Sequence, residues 1–549
     1  MGSDGESDTS TDMEESDIRF EAECGTDPDQ DMDESAGPGE PDTTYVLSAD
    51  ESFMSDREQV PPQKERKFIV FEGCLLELFK VCRTCLATCR NNIVVQGTQV
   101  KITSTCAQNH VERWWSQPQV SGKAAGNILI CAGILFSGAP VATTLRLLKS
   151  INVATVSERT FHYYQQAYLL PAVKQVYKRH NSELLEGLQG KTIDLAGDGR
   201  CDSPGFSAKY CTYSFHEAST KKVIHIEQVQ VGESDEVPSS NAMEKVAFVR
   251  GFTKLKKEDF TIGSFISDRH PGVEHHMRTE ERGTKHYFDT WHIDKGLKKK
   301  LQAASRKSES RELQVWVQPI TNHLYYCAAL GDGNGPLLVS MWLSLLNHVV
   351  DKHDGHDGPF SECLHQPLSD RAWLTEGTPA YNKLRSIVSS PRLLKDIRHL
   401  SPGSQTSSVE AFNSVLIGFA SKSRAFTPEG MEARTLVAVL HYNENVGREQ
   451  ATTREGVRRF MVVTSRARKG HSTARPIPSD ATFEYRDELM DEVMTCLEKW
   501  PTLREALEAN ASQHLPPMCS RYPRPPKSDL IAARRSRFSF HAGSSQDQS

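Results

Sequence analysis

Long apolar runs are missing from this sequence of 549 residues. Its most hydrophobic stretch, NILICAGILFSGAPVA at 127–142, is broken by Ser137, Gly138 and Pro140. It also falls short of the roughly 20 apolar residues that span a bilayer. The start of the chain lacks a charged segment followed by an apolar one, which is the pattern of a secretory signal. These absences predict an intracellular protein with no membrane partner.

Cysteine is too sparse for a disulfide framework. The chain has 13 cysteines, an odd number spread irregularly over its length, whereas disulfide-rich secreted domains are short and dense in cysteine. The pattern favours reduced thiols, some of which bind metal.

Basic residues are nearly absent from the first 60 positions, and large apolar residues are few. This segment holds twenty Asp or Glu against two Arg, while the remainder holds 63 Lys or Arg against 51 Asp or Glu. A segment of that composition cannot offset its ordering entropy, so we predict that 1–62 is disordered, either as an interaction tail or as a solvated leader. The basic remainder suits a protein that binds DNA.

Residues 63–120 carry two pairs of metal-ligating residues. The pairs flank a Val/Ile/Thr-rich hairpin that turns at Gly97: Cys82 with Cys85, and Cys106 with His110. Two such pairs about twenty residues apart predict a zinc ribbon. A closed set of four ligands is structural, because the ion replaces the core that so short a module lacks. Cys74 and Cys89 remain alternative ligands.

Residues 121–190 have the three- and four-residue apolar spacing of helices. One pair of helices resembles a helix-turn-helix, with an expected inner face of Leu145, Leu147, Leu148 and Ile151. Ser157 would cap the second helix, from which Arg159 and His162 would reach DNA. The alternative is an ordinary helical hairpin packed on the rest of the protein.

Acidic residues stand where two predicted strands end. Asp198, between Gly197 and Gly199, closes an apolar run that begins a predicted antiparallel meander, and Asp268 follows a second run at 260–267. Glu410 lies in a predicted helix over 404–422. Asp, Asp and Glu in this arrangement suit a pair of Mg²⁺ or Mn²⁺ ions. Asp194 and Asp202 compete with Asp198 as the first ligand.

Five motifs, taken in order, resemble the Kolobok-type cut-and-paste DNA transposases. They are GDGRCDSPG (197–205), SDRHPGV (267–273), FDTWHIDK (288–295), SSVEAFNS (407–414) and LHYNENVGR (440–448). The resemblance runs from about residue 66 to about residue 450. It implies an α/β fold in which a ribonuclease H-like mixed sheet is flanked by helices, with the catalytic core in two parts, 191–300 and 401–500.

The resemblance also assigns roles to individual residues. Asp198, Asp268 and Glu410 become the ligands of catalytic Mg²⁺ or Mn²⁺, and Asp289 with His292 matches a D-x-x-H signature. A His is expected near Asn413, so the Asn is a departure that weakens the expectation of full activity. The further residues expected to bind DNA phosphates are Arg200, Arg269, Lys295 and Lys298.

Residues 301–400 are predicted to be a helical insertion into the core, with Trp316 and Trp342 inside it. A loop within it gathers His348, His353, His356, Cys363 and His365. Two interpretations stay open here: a second zinc site, or a Gly-rich polar loop that merely contains histidines. The Pro- and Arg-rich residues 501–549 predict a disordered tail.

Together these features predict a nuclear DNA transposase, or a nuclease derived from one, that cleaves and transfers strands of double-stranded DNA by two-metal phosphoryl transfer. It would act as a homo-oligomer and carry structural Zn²⁺. The alternative is a domesticated, inactive DNA-binding protein that acts in transcription or chromatin. A third interpretation, a zinc-ribbon interaction protein, leaves the acidic residues without a role.

Overall fold

The computed structural model describes residues 60–203, 207–366, 368, 371–402, 407–465, 470–511, 515, 518, 523 and 525–534. The predicted disorder of the acidic segment therefore lies outside the described residues, apart from 60–62. Over the described ranges, no helix combines the length and apolar character needed to cross a bilayer.

The N-terminal module is a small antiparallel sheet. A short helix, α1 (Glu72–Glu77), precedes β1 (Cys89–Gln96), β2 (Gln99–Cys106) and β3 (Val111–Trp115). The hairpin turns at Gly97, as the sequence predicts, with φ of +65°. A Cβ at Gly97 would lie 2.4 Å from Oδ1 of Asn127, and that same oxygen accepts a hydrogen bond from the Thr98 amide. The hairpin is thereby fixed to the helix that follows.

A two-stranded hairpin and four helical segments come next. They are β4 (Gln119–Val120), β5 (Lys123–Ala124), α2 (Ala125–Phe136), α3 (Val141–Ser150), α4 (Glu158–Tyr164) with a π-helical turn (Gln165–Leu169), and α5 (Leu170–Glu186). Ser157 caps α4 by accepting from the Thr160 amide, as predicted.

The expected inner face of α3 is wrong at two positions. Leu145 is buried, but Leu147 and Ile151 are 60% and 57% exposed. Positions two and six residues from Leu145 point away from it on a helix, so they do not share its buried face. The helices α2 and α5 pack against later helices in the largest core of the protein, so 121–190 is not a separate module.

The centre of the molecule is a mixed five-stranded sheet. Its strands are β6 (Thr192–Cys201), β7 (Tyr210–Glu217), β8 (Val223–Gln230), β9 (Thr261–Ser267) and β10 (Lys285–Phe288), in the spatial order β10-β9-β6-β7-β8. The first three form the predicted antiparallel meander, and β9 and β10 run parallel to β6.

Helices cover both faces of this sheet. On one face lie α6 (Ser240–Leu255) and α7 (Pro271–Thr279). Phe248 and Phe252, both of α6, pack against Phe265 of β9. On the other face lie α5, α13 (Ser407–Phe419) and α14 (Pro428–Asn445). Val409 of α13 contacts the sheet beside Ala196 and Ile266. Every residue of β7 is buried, which is typical of a strand in the middle of a three-layer structure.

Between β10 and α13 lies the helical insertion. It contains α8 (Thr290–Ser305), a 3₁₀ segment (Ser308–Trp316), α9 (Val317–Leu330), α10 (Gly335–His348), α11 (Pro379–Val388) and α12 (Pro391–Ile397). Trp316 and Trp342 are buried in its core, as expected. This core begins with α8, near residue 290 rather than 301, because Ile293, Leu297 and Leu301 face the insertion.

The chain continues with a hairpin, β11 (Phe460–Ser465) and β12 (His471–Pro476), and then α15 (Glu484–Lys499), α16 (Leu503–Ala509) and α17 (Lys527–Ala532). The predicted disorder from 501 onward is wrong for α16. Thr502 and Glu505 form a capping box there, and Ala506 is fully buried. This S/T-x-x-E pattern is a signature of a helix N-terminus and outweighs the Pro- and Arg-rich composition of the segment.

A buried arginine gives the first prediction. Arg434 of α14 is 2% exposed and donates to the carbonyl oxygens of Gly138, Ala139 and Phe419, each at 2.9 Å. Burial lowers its pKa to about 10.

Arg434→Met would leave three buried acceptors unpaired, so we expect a loss of at least about 2 kcal/mol in unfolding free energy, measured by urea denaturation. The control, Arg504→Met at an exposed position, should change it by less than about 0.5 kcal/mol, and equal effects would contradict the assignment.

Candidate functional site

Two aspartates meet at the carboxyl ends of neighbouring parallel strands. Asp198 lies near the end of β6 and Asp268 directly follows β9. The two strands pair through Ala196 and Ile266, and each aspartate stands two residues beyond that pair. Parallel strands present their ends at one edge of the sheet, so the two carboxylates are held together there.

A third carboxylate, Glu244, comes from α6. Ligand atoms of Asp198, Glu244 and Asp268 all lie within 4.8 Å of one another; we call these three residues the acidic cluster. Gly199 makes room for Glu244, because a Cβ at that glycine would lie 2.5 Å from the Glu244 Cγ.

Glu244 belongs to no motif of the sequence, although the helix carries a clue to its role. Ala247, Phe248 and Gly251, at positions three, four and seven residues later, are all buried. These positions share one face of a helix. A carboxylate on an otherwise apolar stripe indicates a partner on the sheet rather than solvent.

Burial, and then neighbouring charges, raise the proton affinity of Asp198 and Glu244. Burial, and then the charge of Asp268, raise the pKa of Asp198 to about 7. Burial, and then the charges of Asp198 and Asp268, raise the pKa of Glu244 to about 9. Three carboxylates in so small a volume repel one another unless a proton or a cation lies between them. The cluster therefore fits a divalent cation bound by hard oxygen ligands.

Glu410 lies beside the acidic cluster rather than within it. It is in the first turn of α13, and burial raises its pKa while the charge of His292 lowers it. Its charge also acts on Asp198. One turn later on α13, Asn413 donates its Nδ2 hydrogen to Oδ2 of Asp198 at 3.4 Å. Asn413, at the position where the resemblance leads one to expect a His, thus contacts the acidic cluster directly.

Asp289 and His292 form a pair at the same edge of the sheet. Asp289 is 1% exposed and caps α8 by accepting from the Trp291 amide, and its Oδ2 lies 3.0 Å from Nδ1 of His292. Burial lowers the pKa of His292, but the hydrogen bond to Asp289 and the charges of Asp289, Asp198 and Asp268 raise it overall. The neighbouring carboxylates therefore favour the protonated form of His292.

The other aspartates proposed as first ligand have different partners. Oδ1 of Asp194 accepts from the Ser264 hydroxyl at 2.6 Å on the exposed part of β6. Oδ1 of Asp202 accepts from the amides of Lys209 and Tyr210. Of the three, only Asp198 joins the acidic cluster.

Two of the expected phosphate contacts are engaged inside the protein. Arg200 is 5% exposed and donates to the Ala420 carbonyl oxygen, so its side chain is buried rather than presented to a phosphate at the surface. Arg269 pairs with Asp396 at 2.8 Å. Sequence could not reveal either partner, because each comes from more than 100 residues away.

Other predicted DNA contacts lie nearer to solvent. Lys295 is exposed, with its Nζ 4.9 Å from the centre of the Trp291 ring, and Lys298 is half-buried. On α4, Arg159 and His162 are exposed, and Arg159 donates to the Tyr163 hydroxyl.

The four predicted zinc-ribbon ligands come together. Ligand atoms of Cys82, Cys85, Cys106 and His110 lie within 4.8 Å of one another. The Cys85 and Cys106 sulfurs are 3.6 Å apart, and the Cys82 sulfur is 3.7 Å from Nδ1 of His110. Backbone amides of Cys85 and Thr84 lower the pKa of Cys82 to about 6, which favours the thiolate that binds metal.

The alternative cysteines do not join this group. Cys74 is exposed, and the Cys89 thiol donates to the Ala87 carbonyl oxygen at 3.8 Å. The geometry thus selects one set of four from the six residues that the sequence left open. Trp114 packs on Phe79 with ring centres 5.4 Å apart, and Trp115 stays 43% exposed.

Repulsion within the acidic cluster gives the second prediction. In EDTA above pH 7, Asp198→Asn should raise the melting temperature by about 2–4 °C, because the amide cannot carry the charge that burial and Asp268 disfavour at this position. Mg²⁺ or Mn²⁺ should stabilise the wild-type protein but not this variant. Thermal scans with each cation check both outcomes. The matched control is Asp194→Asn on the same strand, and an unchanged cation response in Asp198→Asn would contradict a site at the acidic cluster.

The same acids set the pH dependence in EDTA. The pKa of Asp198 is about 7 in the folded protein against an ordinary value of 3.8, so the folded state holds a proton that the unfolded state releases between these values. Stability should therefore fall as the pH rises from about 4 to about 7 and then stay level for this group. A matched pH series on Asp198→Asn should lack that component.

No model of a known protein family matches this chain, and no curated protein matches it in sequence. Its function is therefore inferred from the acidic cluster, the Asp289–His292 pair and the Cys/His group.

Proposed function

We propose that this chain is a Kolobok-like DNA transposase, or a nuclease derived from one, that cleaves and joins DNA strands with divalent cations. The observation that carries the proposal is the convergence of Asp198, Glu244 and Asp268 within 4.8 Å, with Glu410 and His292 beside them. Sequence motifs suggested two of these acids from separate places, and the fold brings them to one edge of a sheet.

The architecture supports a ribonuclease H-like interpretation. The sheet is mixed, has helices on both faces, and carries acids at the ends of two adjacent parallel strands. The helical insertion enters between β10 and α13, so it separates Asp289 from Glu410 in the chain while both remain at one site. Tyr325 of the insertion also lies near this site, since burial and then the charges of Asp294, Asp289 and Glu410 raise its pKa to about 12.

The acidic cluster and Glu410 would hold Mg²⁺ or Mn²⁺, which polarise a phosphate and lower the pKa of a water molecule. The surrounding residues position these ligands. Asn413 holds the Asp198 carboxylate, and Asp289 fixes Nδ1 of His292, which leaves Nε2 for a phosphate oxygen. A cationic His292 would offset charge that develops on the reacting phosphate.

We assign the Cys/His group of the N-terminal module to structural Zn²⁺, because thiolates and imidazole suit that ion and the set leaves no position open. α1 and β1 contain no buried residue, so the module is short of core. A bound ion would supply folding energy to a unit of this kind.

DNA contacts would come from α4 and from a basic hairpin that the sequence analysis missed. Residues 450–478, here called the basic hairpin, hold seven Lys or Arg against one acid, Glu455. Arg454, Arg458, Arg459 and Arg475 are exposed and make no ion pair within the described part of the chain. An unpaired basic ribbon binds phosphates with little dependence on sequence. We place this activity in the nucleus, with the protein acting as a homo-oligomer on double-stranded DNA.

The alternative is a domesticated DNA-binding protein without catalysis. The departure at Asn413 favours it, since that side chain contacts the acidic cluster. Against it stands the cost of keeping three crowded acids that no longer bind a cation.

Cleavage of supercoiled DNA by the purified full-length chain is the third prediction. Nicking should require Mg²⁺ or Mn²⁺ and disappear in EDTA. Asp268→Asn, Glu244→Gln and Glu410→Gln should each lower the rate by more than about 100-fold, because loss of an outer-shell partner alone costs about 10- to 100-fold. Asp194→Asn should retain the wild-type rate.

The same assay separates the two functions. DNA binding without cleavage, on plasmids that carry candidate transposon ends and with either cation, would support the domesticated protein. Cleavage that survives Asp268→Asn and Glu244→Gln would place the nuclease elsewhere or in a contaminant, and would overturn the assignment.

The basic hairpin gives the fourth prediction. Arg458→Ala with Arg475→Ala should weaken DNA binding at low salt. If each arginine neutralises one phosphate, the slope of log affinity against log salt should shrink in magnitude by about 2. Fluorescence anisotropy over a salt series measures it. The control pair, Arg504→Ala with Lys527→Ala, removes equal charge elsewhere, and equal losses in both pairs would mean that only net charge matters.

A further inference from the structure

A second Cys/His group lies in the helical insertion, away from the acidic cluster and the N-terminal module. Ligand atoms of His348, His353, Cys363 and His365 all lie within 4.8 Å of one another; we call these four residues the insertion cluster. Nδ1 of His348 is 3.3 Å from Nε2 of His365 and 3.7 Å from the Cys363 sulfur. The three imidazole rings have their centres 4.9–5.1 Å apart.

The backbone brings these residues together in a defined way. His348 ends α10. The chain then reverses through a narrow loop, in which the backbones of Asp354 and Glu362 form an isolated antiparallel β-bridge. The Cys363 amide donates to the His353 carbonyl oxygen at 2.8 Å. Gly358, with φ of +87°, allows the reversal. The four residues of the H-x₄-H-x₉-C-x-H pattern are thus brought together by the end of a helix and the loop that follows it.

A neighbouring histidine is arranged to support a thiolate at Cys363. His356 is 6% exposed, and its Nδ1 accepts from Nδ2 of Asn347 at 3.1 Å. Its proton is therefore on Nε2, which lies 3.3 Å from the Cys363 sulfur. Outer-shell donors of this kind orient metal ligands. A thiolate accepts such a hydrogen bond strongly, whereas a neutral thiol is a weak acceptor.

Aromatic rings enclose the histidines of the insertion cluster. Trp373 and Trp316 pack beside the His348 ring at 5.7 and 6.0 Å. Three imidazoles in contact make no apolar core of their own, so their ring nitrogens need a shared polar partner.

We propose that the insertion cluster binds a zinc ion that fastens the segment between α10 and α11 to the body of the insertion. Nitrogen and sulfur donors in a set of four suit Zn²⁺ rather than Mg²⁺ or Mn²⁺. All four positions are filled by the protein, so the ion is structural. Between residues 349 and 378 the described residues contain no helix and bury fully only Val349, His356 and Leu374, so a metal supplies what the core does not. This proposal does not depend on the DNA chemistry.

Metal content of the full-length protein tests it. Zinc per chain is measured by mass spectrometry after exhaustive dialysis, for wild type, Cys363→Ser and His365→Ala. Each substitution should lower the content by one ion, whatever the N-terminal module holds. Cys85→Ser should remove a different ion, so that its loss and the loss from Cys363→Ser add. The matched control His275→Ala alters an exposed histidine of α7 and should keep the wild-type content.

Misfolding is separated from loss of a ligand by a conservative variant. His365→Cys keeps a zinc ligand and should retain the ion that His365→Ala loses, with the same circular dichroism in both. Limited proteolysis should cut within 349–378 faster in His365→Ala than in His365→Cys. Unchanged zinc content in both Cys363→Ser and His365→Ala would overturn the proposal, as would equal loss of zinc from His365→Cys and His365→Ala in folded protein.

Discussion

Mutual repulsion among Asp198, Glu244 and Asp268 is the constraint on which the rest of the structure depends. Three carboxylates within 4.8 Å are stable only if a proton or a cation offsets their charge, and burial makes the requirement stronger. Hydrophobic packing has to hold them in place against that repulsion. The central sheet does this because helices cover both its faces, so neither β6 nor β9 can move without opening a core. The acids can therefore act as a preorganised site rather than as loop residues that relax apart.

Connections from distant parts of the chain complete the edge of the sheet. Arg269, next to Asp268, pairs with Asp396 of the insertion and donates to the carbonyl oxygen of His292. The insertion is thereby coupled to the acidic edge through charge as well as packing. Asn413 donates a hydrogen bond to Asp198 from α13, which covers one face of the sheet. An amide can donate to a carboxylate as an imidazole can, so the Asn at position 413 is compatible with a contact at this site.

Local pattern predicted much of the fold and part of the site. Alternation and Gly turns predicted the meander, and the Asp-Gly step at 198–199 placed an acid at a strand end. Glu244 was missed because its role depends on the α6–sheet contact, which no local pattern encodes. Arg200 differs for the same reason: its basic side chain suggests a phosphate contact, but it is buried and donates a hydrogen bond to the Ala420 carbonyl oxygen, 220 residues away. At 348–365, composition left two interpretations open, and only the loop's path brings four ligand atoms together.

Two kinds of metal chemistry are kept apart in this chain by ligand type. Oxygen ligands gather at the sheet edge, where a cation must stay exchangeable and accessible if it is to act on a substrate. Nitrogen and sulfur ligands gather in the N-terminal module and around residues 349–378 of the insertion, two segments with few buried apolar residues, where closed sets of four suit an ion that stays bound. Because soft and hard ligands select different ions, zinc bound by the Cys/His groups would not compete with Mg²⁺ bound by the acids. Because the two ligand types occupy different sites, the effect of removing a metal on stability can be measured separately from the effect of exchanging the cation on DNA cleavage.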